Sequence, residues 1–217
     1  MKKLIILFLC LFVNFGFSQD NSDAELLLNK VSENIKNYNN IYINYDYTLK
    51  NIEEDISQTN KGSFVTENDK WRFEMLGITR IFDGDKLYSI SPDDEEITIS
   101  SQDPEDETTI TPNKMLYFYE DGYYFEMDKV KFIGDGQFRK KIQYVKLVPK
   151  DSNAEIKFIL LGIDTEFNQI YVVEETGKND TVTTISIVDF EFNLTLDPKL
   201  FIFQEDEFKD YYMNILD

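Results

Sequence analysis

No histidine occurs anywhere in the 217-residue sequence, and the only cysteine is Cys10. Beyond position 10, therefore, Ser-His-Asp and Cys-His catalysis, the common zinc sites and disulfide bonds are all excluded. Positive charge is scarce: 22 Lys and Arg stand against 41 Asp and Glu, a formal charge of −19. Nucleic-acid binding needs basic side chains to displace counterions from phosphates, and an anionic leaflet attracts basic patches, so both roles are disfavoured. The balance suits a freely moving carrier, and it also confers solubility. Proline (5) and glycine (9) are few, and no repeat, low-complexity linker or abrupt shift of composition divides the chain, which reads as one domain.

The one long apolar run, Leu4 to Val13, follows Met1-Lys2-Lys3 and precedes Gly16 and Ser18. It is too short to span a bilayer, and the flanking residues are those of a cleavable export signal, so residues 1–18 are expected to be a signal peptide and 19–217 the mature domain. Cys10 lies inside the apolar run, not behind small residues, so no lipid anchor is expected. Removal of Lys2 and Lys3 leaves 20 basic and 41 acidic side chains, a formal charge of −21. An exported chain without disulfides suits a periplasm.

What is plentiful is aromatic and alternating. Outside the signal there are 14 Phe, 13 Tyr and one Trp. Ser22-Asp23-Ala24-Glu25 has the form of a capping box, and Ala24, Leu27, Leu28, Val31, Ile35 and Tyr38 recur in steps of three and four, which predicts an amphipathic helix over 23–38. From Ile41 the period becomes two: Ile41, Ile43, Tyr45, Tyr47 and Leu49 alternate with polar residues. Further strands are expected over 61–67, 70–76, 79–83, 86–91 and 96–101, and in a second block over 142–148, 155–164, 169–175 and 181–196. Their links are short, so consecutive strands pair antiparallel. In the second block, Phe158-Ile159-Leu160-Leu161 and Ile170-Tyr171-Val172-Val173 lack clean alternation, as strands covered on both faces do. Between the blocks, Thr111-Pro112 opens a short helix expected to run to Asp121 before Gly122. The fold class is α+β and mainly antiparallel β: an open, half-closed barrel covered by an N-terminal amphipathic helix and a short lid helix.

The acidic clusters carry no paired-carboxylate geometry. Asp93-Asp94-Glu95-Glu96 and Asp103-Pro104-Glu105-Asp106-Glu107 read as solvated loops, and Asp83-Gly84-Asp85 as a hairpin turn and not a calcium loop. No enzyme activity, metal or cofactor is expected. A sheet face bearing Tyr45, Tyr47, Trp71, Phe73 and Met75, with a separate short helix bearing Met115, Leu116 and Tyr119, has instead the make-up of an apolar cavity with a lid.

The order of these features resembles the outer-membrane lipoprotein carrier family, LolA, over nearly all of the mature chain. The residues that carry the likeness are Ala24-Glu25-Leu26-Leu27, Tyr45-Asp46-Tyr47-Thr48-Leu49, Lys61-Gly62-Ser63-Phe64, Lys70-Trp71-Arg72-Phe73-Glu74-Met75, and Ile81-Phe82-Asp83-Gly84-Asp85-Lys86-Leu87-Tyr88. Thr111-Pro112, Leu147-Val148-Pro149-Lys150 and Leu200-Phe201-Ile202-Phe203 match later landmarks. The resemblance implies a periplasmic monomer that binds the acyl chains of lipoproteins in a half-barrel, with Trp71, Phe73 and Met75 facing the cavity. It further implies a releasing transporter at the inner membrane and an acceptor at the outer membrane as partners. Family members carry an arginine just before the tryptophan segment that bonds to the lid; Phe64-Val65-Thr66-Glu67-Asn68-Asp69 contains none, so the resemblance does not supply the latch. The alternative from another class is a periplasmic module with a related half-barrel that senses lipid or lipoprotein and regulates a membrane partner.

Overall fold

Period-two alternation becomes strand almost wherever it occurs. The computed structural model describes residues 17–101, 116–136 and 139–216. Its strands are β1 Asn40–Asn51, β2 Ile56–Glu67, β3 Lys70–Met75, β4 Ile78–Phe82, β5 Lys86–Ser91, β6 Glu96–Ser101, β7 Tyr123–Ile133, β8 Lys140–Pro149, β9 Ile156–Asp164, β10 Gln169–Gly177, β11 Val182–Phe192 and β12 Tyr212–Leu216. All twelve belong to one sheet, in the order β12-β6-β5-β4-β3-β2-β1-β11-β10-β9-β8-β7. Every neighbouring pair is antiparallel except β12 with β6, which run parallel. The sheet is open, with β12 and β7 as its edges, and this is the half-closed antiparallel architecture expected.

The two edges are the strands that alternation does not reveal. In β7 the register slips between Met127 and Val130, so an extra residue breaks the period of two. Gln143 fills the resulting gap by donating from its side chain to the Asp128 carbonyl at 2.9 Å. β12 is five residues long and finds its partner far back in sequence. The hairpin between β3 and β4 turns at Leu76 (φ 52°) and Gly77 (φ 78°), the paired left-handed conformation that tight hairpins demand. Asp83 accepts the amides of Asp85 and Lys86 at 2.9 and 2.8 Å, which makes Asp83-Gly84-Asp85 a hairpin turn. The second acidic cluster, 103–107, lies outside the described residues.

The helix, α1, spans Phe17–Lys36 and so starts six residues before the expected position. Nothing between Phe17 and Ser22 breaks a helix, and the capping signature at Ser22 falls inside the first turns. At the other end the amides of Asn37 and Tyr38 bond back to Asn34 and Ile35, a tightened last turn that stops at Asn39. The expected apolar stripe is buried: Ala24, Leu28, Val31 and Ile35 pack against the concave face of the sheet, with Leu27 and Tyr38 at the margins. No helix among the described residues is long and apolar enough to cross a membrane.

The opposite face has two smaller clusters. Ile81, Ile90 and Ile97 are covered by Phe203, Phe208, Tyr211 and Met213 of the C-terminal segment, which includes the single-turn 3₁₀ helices Pro198–Phe201 and Glu205–Phe208. Ile142, Tyr144 and Val172 form the other, with Leu160 and Tyr171 beside them. Leu161 and Val173 meanwhile face the main core, so the strands without alternation are indeed apolar on both sides.

Two buried asparagines pin the ends of β1. Asn40 exchanges hydrogen bonds with Leu194, donating to its carbonyl at 2.8 Å and accepting its amide at 2.9 Å. Asn51, 3% exposed, accepts the amides of Glu53 and Glu54 and donates to the Thr181 hydroxyl at 2.9 Å, which ties the β1–β2 turn to the β10–β11 turn. Asn51→Ala leaves two turn amides without their acceptor. The expected cost is about 1–3 kcal/mol by denaturant unfolding; a loss below experimental error contradicts the role given to this residue.

Candidate functional site

The concave face is built by alternation and register acting together. Alternation in β1 turns Ile41, Ile43, Tyr45 and Tyr47 the same way, and pairing then sets Gly62 and Met75 across from Tyr45, Phe64 and Phe73 across from Ile43, and Trp71 across from Thr66. All five residues expected to line a cavity belong to the single cluster that packs against α1. Tyr45, Trp71 and Phe73 are 5%, 2% and 8% exposed, while Tyr47 and Met75 are partly buried against them. Tyr45 stacks on Phe73 with ring centroids 6.4 Å apart, and Trp71 lies 6.2 Å from Phe82.

Gly62 makes this wall possible. A Cβ at that position would lie 2.3 Å from the Tyr45 ring, so the absence of a side chain lets the ring lie across β2. The Tyr45 hydroxyl thereby reaches the Glu74 carbonyl, to which it donates at 3.4 Å, and burial pushes its pKa above the ordinary tyrosine range. Sequence patterning alone does not single out Gly62, Phe64 and Phe82 as site residues. Their signal is the register: once Tyr45, Trp71 and Phe73 are placed, the residues opposite them follow.

The expected lid divides at the boundary of the described residues. Met115 and the Thr111-Pro112 opening lie outside them. Leu116 is the last helical residue, and 117–121 form turns and bends, so the helix stops short of Asp121. Leu116 and Tyr119 are 7% and 1% exposed and join the same core cluster as the wall. Polar contacts to α1 hold this segment: the Tyr119 and Ser32 hydroxyls share a hydrogen bond at 3.1 Å, and Lys36 meets Glu120 at 3.5 Å on the surface. Burial pushes the Tyr119 hydroxyl above its usual range, an effect the Ser32 bond partly offsets.

On the far arm the same interior contains a carboxylate. Glu175 in β10 pairs with Thr183 in β11 and Ile159 in β9, two residues along from Val173, and so points to the concave side. Burial pushes its pKa up. Tyr123 at the start of β7 is also raised, by burial first and then by the charge of Glu175. A separate hollow of about 890 Å³ lies between Phe203 and Met213 along the C-terminal segment, away from this interior.

The chain matches no protein-family model, and no curated protein matches it. Solved structures do match. An uncharacterised conserved protein from Thermus thermophilus aligns over 89% of this chain and 99% of its own, at 11% identity and a TM-score of 0.54. A LolA superfamily protein from Nitrosomonas europaea aligns over 82% and 97%, at 11% identity and 0.40. The Pseudomonas aeruginosa MucA/MucB complex aligns over 85% of this chain and 62% of the matched one, at 9% identity and 0.41. At such identities the likeness is one of fold alone, and the Thermus thermophilus structure is the one of the three that carries it.

Two outcomes test the site's geometry. Gly62→Val forces the Tyr45 ring off β2, and because a flexible backbone absorbs part of the clash the expected loss is about 1–3 kcal/mol, with Trp71 emission shifted toward longer wavelength; unchanged stability and emission contradict the packing. Glu175→Gln removes a charge that the fold disfavours. A carboxyl whose pKa is raised by folding stabilises the fold only when protonated. The variant should therefore melt about 1–2 °C higher than the parent near neutral pH, a small gain because solvent reaches part of the side chain. That gain should vanish as pH falls through the raised pKa of Glu175, and a difference independent of pH contradicts it.

Proposed function

We propose that this protein is a periplasmic carrier without catalytic activity, which takes the acyl chains of lipid-modified proteins into the interior between α1 and the sheet. One observation carries the proposal. The aromatic wall of Tyr45, Tyr47, Trp71, Phe73 and Met75 is closed in part by a short irregular segment, residues 116–120, which buries Leu116 and Tyr119 in the same cluster and whose polar ties to α1 are one hydroxyl pair, one exposed ion pair and Lys36 over the Tyr117 ring at 5.5 Å.

Magnitudes support a displaceable cover. Exposing Leu116 and Tyr119 costs roughly 2 kcal/mol each, the Ser32 hydrogen bond contributes about 1 kcal/mol and the surface ion pair less. Each methylene that replaces them in the interior returns about 0.8 kcal/mol, so some six to seven methylenes offset the opening and every further one adds affinity. A single short chain then binds weakly, and a pair of long chains binds well yet stays releasable once association costs are counted. Lipid-modified termini have the second composition. The releasing and receiving membrane partners implied by the resemblance belong to this proposal too, as does action as a monomer.

The test uses Trp71, the only tryptophan in the chain, as reporter. Titration with a diacylated lipopeptide should shift its emission and saturate, whereas the same peptide without acyl chains should not; equal responses, or none to the acylated form, contradict a carrier. Leu116→Arg should leave the protein cooperatively folded, with a fall in melting temperature no larger than the roughly 10–20 °C that opening the cover accounts for, and abolish the lipopeptide response. Loss of the cooperative melting transition altogether would show that 116–120 is core and not cover.

A further inference from the structure

An amphiphile whose chain lies in the interior must leave its polar end at the rim, and the rim near Glu175 has a definite chemistry. Glu175 stands two residues before the end of β10, where the β8–β9 and β10–β11 turns converge: the Lys178 amide bonds to the Glu155 carbonyl at 2.8 Å, and the Lys150 amide to that of Gly122, also at 2.8 Å. Apolar neighbours flank it on the concave side, Ile159 in β9 and Val173 in its own strand, while its outer end meets solvent. None of the ion pairs among the described residues includes it. The lysines of these turns are engaged elsewhere, Lys157 with Asp180 at 3.1 Å, Lys178 with the Ser152 carbonyl at 2.9 Å and Lys150 over the Tyr124 ring at 5.8 Å. A carboxylate in this setting accepts hydrogen bonds and offers none.

We propose that Glu175 is the head-group subsite of this interior, and that it takes a hydrogen-bond-donating head, an ammonium or an amide N–H, in preference to a carboxylate or phosphate. A partly desolvated carboxylate gains most from a charged donor and repels an anion. The subsite therefore sorts amphiphiles by the group that joins head to chain, while the aromatic wall accepts the chain itself. This inference rests on the carrier reading and adds a selectivity which that reading does not require.

Hexadecylammonium, hexadecanamide and hexadecanoate, titrated below their micelle concentrations against Trp71 emission, share one chain and differ only in the head. The expected order of affinity is ammonium, then amide, then carboxylate, with at least about tenfold between the first and the last. Glu175→Gln, shown first to melt as cooperatively as the parent, should reduce that ratio to within about threefold. Glu191→Gln, which removes the same charge from the outer face of β11, should leave it unchanged. Equal affinities in the parent protein, a ratio that survives Glu175→Gln, or an equal loss in Glu191→Gln would each overturn the subsite, the last by assigning the preference to net charge. Binding of all three without discrimination overturns the subsite alone, whereas binding of none overturns the carrier reading with it.

Discussion

Everything in this fold follows from asking one helix to cover one very wide sheet. Twelve strands spaced about 4.8 Å apart would extend some 50 Å across if flat, while a helix with its side chains is only about 10 Å wide. α1 packs most closely on β7 and β10, and side chains of β1, β2, β3, β8, β9 and β11 join the same apolar cluster, which so wide a sheet allows only if it curls; the normal twist of strands supplies the curl. The bulge in β7 tightens it at one edge. Curling brings Tyr123 within electrostatic reach of Glu175, and it converts a sheet face into an interior with walls, a cover and a rim.

A curled sheet cannot be covered everywhere by the same helix, and the remaining apolar surface is handled locally. The C-terminal segment covers Ile81, Ile90 and Ile97 from the outside, so β4, β5 and β6 are held from behind and their concave side is free to present Phe82 and Leu87 next to Trp71 and Phe73 of β3. Close packing of that wall depends on backbone detail. Tyr45 lies flat only because Gly62 has no side chain, and Phe73 then finds a ring to stack against. A wall of stacked rings and one methionine has no directional demand on what touches it, which is the property a carrier of variable chains requires. The polar demand is confined to the rim.

Much of this was legible in the sequence, for physical reasons that differ from element to element. β1 could be read almost to the residue because Ile41 to Leu49 alternate strictly, and the stripe on α1 because its steps of three and four have no exception. The helix start could not, since Ser22-Asp23-Ala24-Glu25 has the form of a cap yet sits within the helix when residues before it continue the same conformation. β7 was hidden by its own bulge at Asp128 and Lys129, and β12 by a parallel pairing that no local pattern encodes. The aromatic wall was recognisable because its members lie on strongly patterned strands. Glu175 was not, because Ile170-Tyr171-Val172-Val173 before it is apolar on both faces and alternation cannot say which way the next side chain points. Gly62 looked like an ordinary strand glycine until the register set it opposite Tyr45.

The central claim is that the interior exists to hold acyl chains, and the protein's own contents test it most directly. Native mass spectrometry of the protein isolated from its producing cells, without detergent, should show a mass increment that resolves on denaturation into lipid-modified N-terminal peptides or their parent lipoproteins. Recovery of the bare polypeptide alone, from cells that make lipoproteins and under conditions that preserve other lipid complexes, would contradict the account.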